Sequence, residues 1–314
     1  MTPRPRIALV GAGTMGANHA RVIAECADAE LALIVDSDST RAEVLAGSFN
    51  CAHASDLAAV RGCDAAVLAT PTRLHADQAM SLFDLGMPVL IEKPLTPKIA
   101  DTRALLDEAN SRGIPLMCGF VERYNPAAQT VLRMLDEMPV HIVGLRHSPP
   151  TPRTTLSVVL DLLIHEIDLV LRYTRSAAPV KVQGVVGGAG AVPGSEIAGC
   201  LLTFEPTIAT LSATRTGQRK IRSQFIETSS ALYEIDLLRQ DVTVYRHRSH
   251  TYEGLMSYRA ETVVDIPFVR HAGEPLALQL EHFLTLIDGR ADAAAERDSI
   301  LPAHEVAAAV EDRA

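Results

Sequence analysis

Arg6-Ile-Ala-Leu-Val10-Gly11-Ala-Gly13-Thr14-Met15-Gly16 decides the fold. A short aliphatic run enters G-x-G-x-x-G, and the glycines open a helix-forming stretch, Gly16 to Ala27, so the order is strand, tight turn, helix. Glycines let a backbone turn sharply and approach a pyrophosphate, whose charge the free N–H groups of a helix start can meet. The rhythm continues. Strands are predicted at 31–35, 65–69, 89–91 and 116–119, with helices at 40–49, 75–85 and 99–112 between them. Such alternation predicts α/β architecture, a Rossmann-type domain with a parallel sheet.

Beyond Pro126 the pattern changes to a helix ending near Met138, a strand at 141–146, a proline-rich turn holding Arg153, and an apolar helix over 156–173. From 180 to 267 only strands are predicted, followed by helices at 275–287 and 304–313; the glycine-rich 184–194 reads as a flexible loop. A run of strands implies an α+β domain with a large, mostly antiparallel open sheet. The expected division is residues 1–120 and residues 121–314.

Composition bounds the function. The chain has 314 residues, 47 % hydrophobic and 21 % charged, which excludes disorder as its main state and suits two domains. With 29 Lys+Arg against 38 Asp+Glu, the net charge of −9 argues against a broad nucleic-acid or anionic-lipid surface. Five cysteines without a C-x-x-C pair fit a reduced cytoplasmic setting, and the N-terminus carries no recognisable export signal. The most apolar stretch is broken by Asp161, His165, Glu166, Asp168 and Arg172, so it reads as a buried helix and not a membrane span.

The second strand ends at Asp36, where a carboxylate accepts both hydroxyls of an adenosine ribose and repels a 2′-phosphate. Ser37 and Asp38 follow it where an arginine would favour that phosphate. NAD is therefore expected over NADP, with Arg41 as the one nearby cation; the competing reading is an aspartate that caps the next turn. Thr70, Pro71 and His75 follow the 65–69 strand.

Two further groups suit catalysis. Glu92-Lys93-Pro94 lies at the carboxyl end of the 88–91 strand, where open α/β sheets bind ligands. Asp161 and His165, four residues apart, share a helix face, and a carboxylate beside an imidazole tunes a general base. A structural pair is the plainer alternative. A metal site that adds Asp168 is disfavoured, because no other His or Cys cluster has ligand spacing. Arg123, Tyr124 and Asn125 follow the last predicted Rossmann strand; Arg suits a phosphate and Asn a sugar hydroxyl, whereas the structural alternative is an interdomain salt bridge plus an N-cap before Pro126. His147, His247, His250, His271 and His282 have no spacing that argues for a site.

The glycine loop, Glu92-Lys93-Pro94 and Asp161-Leu-Leu-Ile-His165-Glu-Ile-Asp168, in that order, resemble the Gfo/Idh/MocA family over nearly the whole chain. Thr70-Pro-Thr-Arg-Leu-His75 and Glu122-Arg-Tyr-Asn-Pro126 are most similar to its UDP-N-acetylglucosamine 3-dehydrogenase branch. Two departures stand out: Ser157-Val-Val-Leu160 replaces the glycines that commonly precede the aspartate, and His165-Glu-Ile-Asp168 replaces H-D-I-D.

The resemblance implies an NAD-dependent dehydrogenase acting on a secondary hydroxyl of a sugar, sugar nucleotide, aminoglycoside sugar or cyclitol. Lys93, Asp161 and His165 would be catalytic, with Lys93 and His165 able to exchange roles. It implies cofactor contacts from Gly11, Gly13, Thr14, Met15, Gly16, Asp36, Ser37, Thr70, Pro71, His75, Glu92 and Lys93. Substrate contacts would come from Lys93, Arg123, Tyr124, Asn125, Asp161 and His165. A homodimer or homotetramer is expected through the second domain's open sheet. Redox-neutral chemistry on tightly held NAD and an NAD-sensing regulator are the alternatives.

Overall fold

The structure, a computed structural model, describes residues 4–150, 156–175, 178–188, 196–251 and 258–312. Arg153, the His250 side chain and residues 189–194 of the expected loop lie outside the described residues. The chain forms two compact units: residues 1–121 with 273–305, and residues 122–272 with 306–314.

The first unit is built on β1 (Arg6–Val10), α1 (Thr14–Glu25), β2 (Glu30–Val35), α2 (Ser39–Phe49), β3 (Ala52–Ala54), β4 (Ala65–Leu68), α3 (His75–Phe83), β5 (Val89–Ile91), α4 (Ile99–Ser111) and β6 (Leu116–Cys118). The strands pair in parallel in the order β3-β2-β1-β4-β5-β6, the doubly wound arrangement that reverses direction between β1 and β4. The residues of β4, β5 and β6 are buried throughout, as unbroken apolar strands are when helices cover both faces of a sheet. The short β3 was not among the predicted strands; its residues are mostly exposed, so no apolar run marks it.

The second unit contains α5 (Pro126–Met134), β7 (His141–His147), a π-helical turn (Val159–Leu163) leading into α6 (Ile164–Tyr173), then β8 (Lys181–Gly188), β9 (Glu196–Thr203), β10 (Ile208–Thr214), β11 (Ile221–Glu227), β12 (Leu232–Asp236), β13 (Asp241–Thr251) and β14 (Tyr258–Asp265). Its sheet runs β14-β13-β12-β11-β7-β10-β9-β8, and only the β7–β10 pair is parallel. Burial alternates along β7, as expected of a sheet with one covered face. Helix α6 packs on β7 and β10, while α5 packs on β12 and β13. Gly144 of β7 makes room for this packing: a Cβ there would lie 2.7 Å from Leu211 and 3.3 Å from the Glu166 carboxylate.

Charge anchors α6 to the sheet. Arg146 of β7 donates to Glu166 at 3.1 Å and to Glu122 at 2.7 Å, and Arg222 of β11 reaches Glu122 at 3.0 Å. Gln224 bridges Glu166 and the Tyr173 hydroxyl. Burial opposes charge on Glu122, but Arg146 and Arg222 outweigh it and hold its carboxyl below the usual range. Burial prevails at Glu166, which shares Arg146 with Glu122, and its carboxyl is pushed up.

Three helices close the chain: α7 (Pro275–Ile287), α8 (Ala293–Asp298) and α9 (Leu301–Glu311). The expectation that all of 121–314 forms the second domain does not hold for 273–305, which pack with the first unit. Helix α7 lies against α1 and α8 against α4 and β6. Arg21 pairs with Glu274 at 2.7 Å, Arg103 with Glu305 at 2.7 Å, and Arg297 donates to Asn110 at 2.6 Å. Such distant contacts leave no trace in local periodicity.

Candidate active site

The glycine loop divides its labour. Gly11 has φ +107°, and a Cβ there would meet the Ala69 carbonyl at 2.6 Å, so the turn after β1 passes directly beside the end of β4. A Cβ on Gly16 would sit 1.9 Å from the Gly11 carbonyl, so helix and turn are pressed together. Gly13 is different: it precedes α1 as its N-cap without a side-chain cap bond, and a Cβ there would meet nothing within 4 Å. Thr14 and Met15 are exposed beside it. A tight turn, close helix packing and an open, donor-rich helix start are what a pyrophosphate requires, so these residues fit a dinucleotide.

Asp36, just past β2, braces this loop. Its Oδ2 accepts the Ala12 N–H at 2.8 Å and its Oδ1 the Asp38 N–H at 2.9 Å. The cap of α2 is Asp38, which accepts from the Arg41 N–H at 3.1 Å and pairs with the Arg41 side chain at 2.8 Å. Arg41 stays 3.9 Å from Asp36, committed to Asp38. Ser37 is exposed between them.

Past β4, the Thr70 hydroxyl donates to Gln78 at 2.6 Å and Pro71 is exposed. His75 is only 1 % exposed, with Nε2 2.9 Å from the Thr70 carbonyl and Nδ1 3.2 Å from the carbonyls of both Pro94 and Leu95. The ring therefore ties two loops together through backbone contacts. Burial pushes its pKa down.

The Lys93 loop after β5 has further supports. Glu92 is buried against His19 of α1, Oε1 to Nε2 2.7 Å, and the Leu95 N–H donates to His304 Nε2 at 2.9 Å. His304 Nδ1 faces the Ile300 carbonyl at 2.9 Å, so Nδ1 carries the proton. Lys93 itself is partly exposed within this frame. His19 and His304 were not foreseen; the signal for His19 is its place one turn after Gly16, whereas His304 is more than 200 residues from its partner.

In the second unit, Asp161 lies on the π turn and His165 is buried in the first turn of α6. The sequence predicted one continuous α-helix there; the wide turn interrupts it, as π-bulges do at functional sites. Arg215, also unforeseen, donates to Asp161 Oδ2 at 2.9 Å.

Arg123 and Asn125 make a salt bridge, within the second unit, and an N-cap. Arg123 grips both oxygens of Asp168 through Nε and Nη2, at 2.6–3.1 Å, in a fully buried pair. That also commits Asp168, weighed as a metal ligand. Asn125 caps α5 through the Ala127 N–H at 3.1 Å, and its amide donates to Glu122 and the Leu237 carbonyl. Tyr124 is half-buried between them.

A family model described as an oxidoreductase family with an NAD-binding Rossmann fold matches residues 5–120. The chain is 30 % identical over 313 residues to the UDP-N-acetylglucosamine 3-dehydrogenase of Acidithiobacillus ferrooxidans, covering 98 % of this chain and 97 % of that one. A solved structure of that enzyme matches with a TM-score of 0.83 at 29 % identity, covering 99 % of each chain. An inositol 2-dehydrogenase of Mycolicibacterium gilvum is 30 % identical over 244 residues, 73 % of this chain and 67 % of that one. The chain belongs to the Gfo/Idh/MocA family of oxidoreductases, enzymes with an NAD-binding Rossmann unit.

Proposed function

We propose that the chain is an NAD-dependent dehydrogenase that oxidises a secondary hydroxyl, at C3, of a sugar, with sugar nucleotides as the first choice. The observation that carries this reading is the end-to-end likeness to a UDP-N-acetylglucosamine 3-dehydrogenase, which includes the second unit; the inositol dehydrogenase likeness covers less. NAD is preferred over NADP because Asp36 presents a carboxylate after β2 and Arg41 is held by Asp38.

Bound NAD would accept the hydride from the carbinol C–H. Gly11 to Gly16 would hold its pyrophosphate and Asp36 its ribose. The remaining work falls to three side chains. His165 takes the hydroxyl proton as the C–O bond becomes a carbonyl, Lys93 donates a hydrogen bond to that oxygen, and Asp161 steadies the developing positive charge. Lys93 and His165 can exchange these roles.

The open face of the second sheet, where Val143, Leu145, Leu201 and Phe225 are only half-buried, suits a homodimer or homotetramer. The five cysteines form no disulfide among the described residues, which suits a cytoplasmic setting, and no described helix is long and apolar enough to cross a membrane.

A panel of UDP-sugars, inositols, sugar phosphates and aminoglycosides, read by NADH absorbance, tests the substrate. Oxidation of a UDP-N-acetylhexosamine is expected; turnover of inositols alone overturns the sugar-nucleotide reading. Lys93→Met and His165→Ala should each abolish turnover while NAD still binds, and activity retained in both removes the catalytic assignment.

A further inference from the structure

The turn that carries Asp161 is held by side chains from elsewhere in the second unit. Arg215, directly after β10, is 1 % exposed, and both terminal nitrogens of its guanidinium are engaged in polar contacts. Nη1 donates to the Leu156 carbonyl at 3.0 Å and Glu196 Oε2 at 3.3 Å; Nη2 donates to the Ser157 carbonyl at 3.2 Å and Asp161 Oδ2 at 2.9 Å. Glu196 also accepts the Val158 N–H at 2.7 Å, and the Ser157 hydroxyl accepts from Leu160 at 3.1 Å while donating to Glu311.

Three of Arg215's four acceptors, two carbonyls and Glu196, already fix the turn. Its fourth bond goes to a different kind of group, a carboxylate whose side chain is 26 % exposed. A guanidinium has only donors and does not lose its charge, so the Asp161 oxygen facing it is always an acceptor. The lone pair that meets the guanidinium is not available to a proton of the substrate.

We propose that Arg215 is a positioning residue for the reaction: it holds Asp161 as an oriented carboxylate. This rests on the reading above, in which Asp161 belongs to the reacting group. Glu196 adds a second anion to the same guanidinium through Nη1, which leaves Asp161 to Nη2.

The test uses the full chain with NAD and the hydroxyl substrate found in the panel, comparing wild type, Arg215→Gln, Arg215→Lys, Asp161→Asn and the Arg215→Gln/Asp161→Asn double variant. Loss of a supporting partner typically costs about 10–100-fold in activity. We expect Arg215→Gln to lower kcat by about that factor, with KM and NAD affinity little changed and the pH–kcat profile displaced. Arg215→Lys should recover part of the loss, and the double variant should be no worse than about twofold below Asp161→Asn, since both changes remove one unit.

A folded Arg215→Gln enzyme with wild-type kcat overturns the proposal, as do losses that multiply in the double variant. Should the Gln variant fail to fold, Arg215→Lys decides: a kcat loss of about fivefold or more at unchanged NAD affinity supports the proposal, and wild-type kcat overturns it. If the underlying reading is at fault, Asp161→Asn itself keeps full turnover. If only the positioning role is at fault, Asp161→Asn is impaired while Arg215→Gln is not.

Discussion

Gly13 and Gly16 are three residues apart in one loop, yet the space around them predicts opposite phenotypes. A Cβ at 16 collides with the Gly11 carbonyl, so Gly16→Ala must shift backbone; a loss of about 2 kcal/mol or more of stability is expected in urea melts. A Cβ at 13 meets nothing, so Gly13→Ala should melt within about 1 °C of wild type and still lose at least about tenfold in NAD affinity, measured by nucleotide fluorescence titration. Equal affinity in wild type and Gly13→Ala would remove the pyrophosphate from this loop. These glycines were legible because their job is local: turn, cap and close approach all lie within six residues. Arg123 was legible only as to type. That it is a donor for an anion follows from the sequence, but its partner, Asp168, is 45 residues away, and only packing decides between a carboxylate of the protein and a phosphate of a ligand.

The helix α6 shows the same limit at the next scale. Its apolar character predicted burial, and nothing in its period announced the π turn that sets Asp161 apart. The Arg123–Asp168 pair and the Glu166–Arg146–Glu122 chain determine how the helix seats on the sheet. Removing one member of a buried pair leaves the other charge without compensation, which costs about 3–5 kcal/mol. Arg123→Met should therefore lower the urea midpoint sharply, and Arg123→Met/Asp168→Leu should regain much of it. A double variant as unstable as the single would show that the pair contributes shape and not charge balance.

For the molecule as a whole, acid is the informative perturbation. Burial lowers the folded pKa of His75 from the ordinary 6.5, so the fold favours the neutral ring and the unfolded chain takes up the proton. Its contribution is present above about pH 6.5 and lost as pH falls through the depressed folded value. Glu122, held down by its arginines, is lost at lower pH, below the ordinary 4.5; Glu166, pushed up by burial, works in the opposite sense, favouring the fold in acid and losing that contribution as pH rises through its raised value. The slope of Tm between pH 7 and 5.5 should accordingly be shallower in His75→Gln than in wild type, and identical slopes would acquit His75.

The first unit is also discontinuous, and that can be tested directly. Residues 1–121 alone should bind NAD weakly and expose apolar surface to a hydrophobic dye, whereas the same segment joined by a flexible linker to 273–305 should fold cooperatively. Equal cooperativity in the two would show the closing helices to be dispensable. The interruption has a consequence for how the protein is made. On a ribosome delivering about 5–20 residues each second, the β-sheet that opens the chain emerges early but waits while residues 122–272 are synthesised before α7 and α8 can cover it. Through that interval the nascent protein displays the flank of α1 and the edge at β6 to the cell, which makes that surface the place where a chaperone would hold it and where a stalled chain would be degraded.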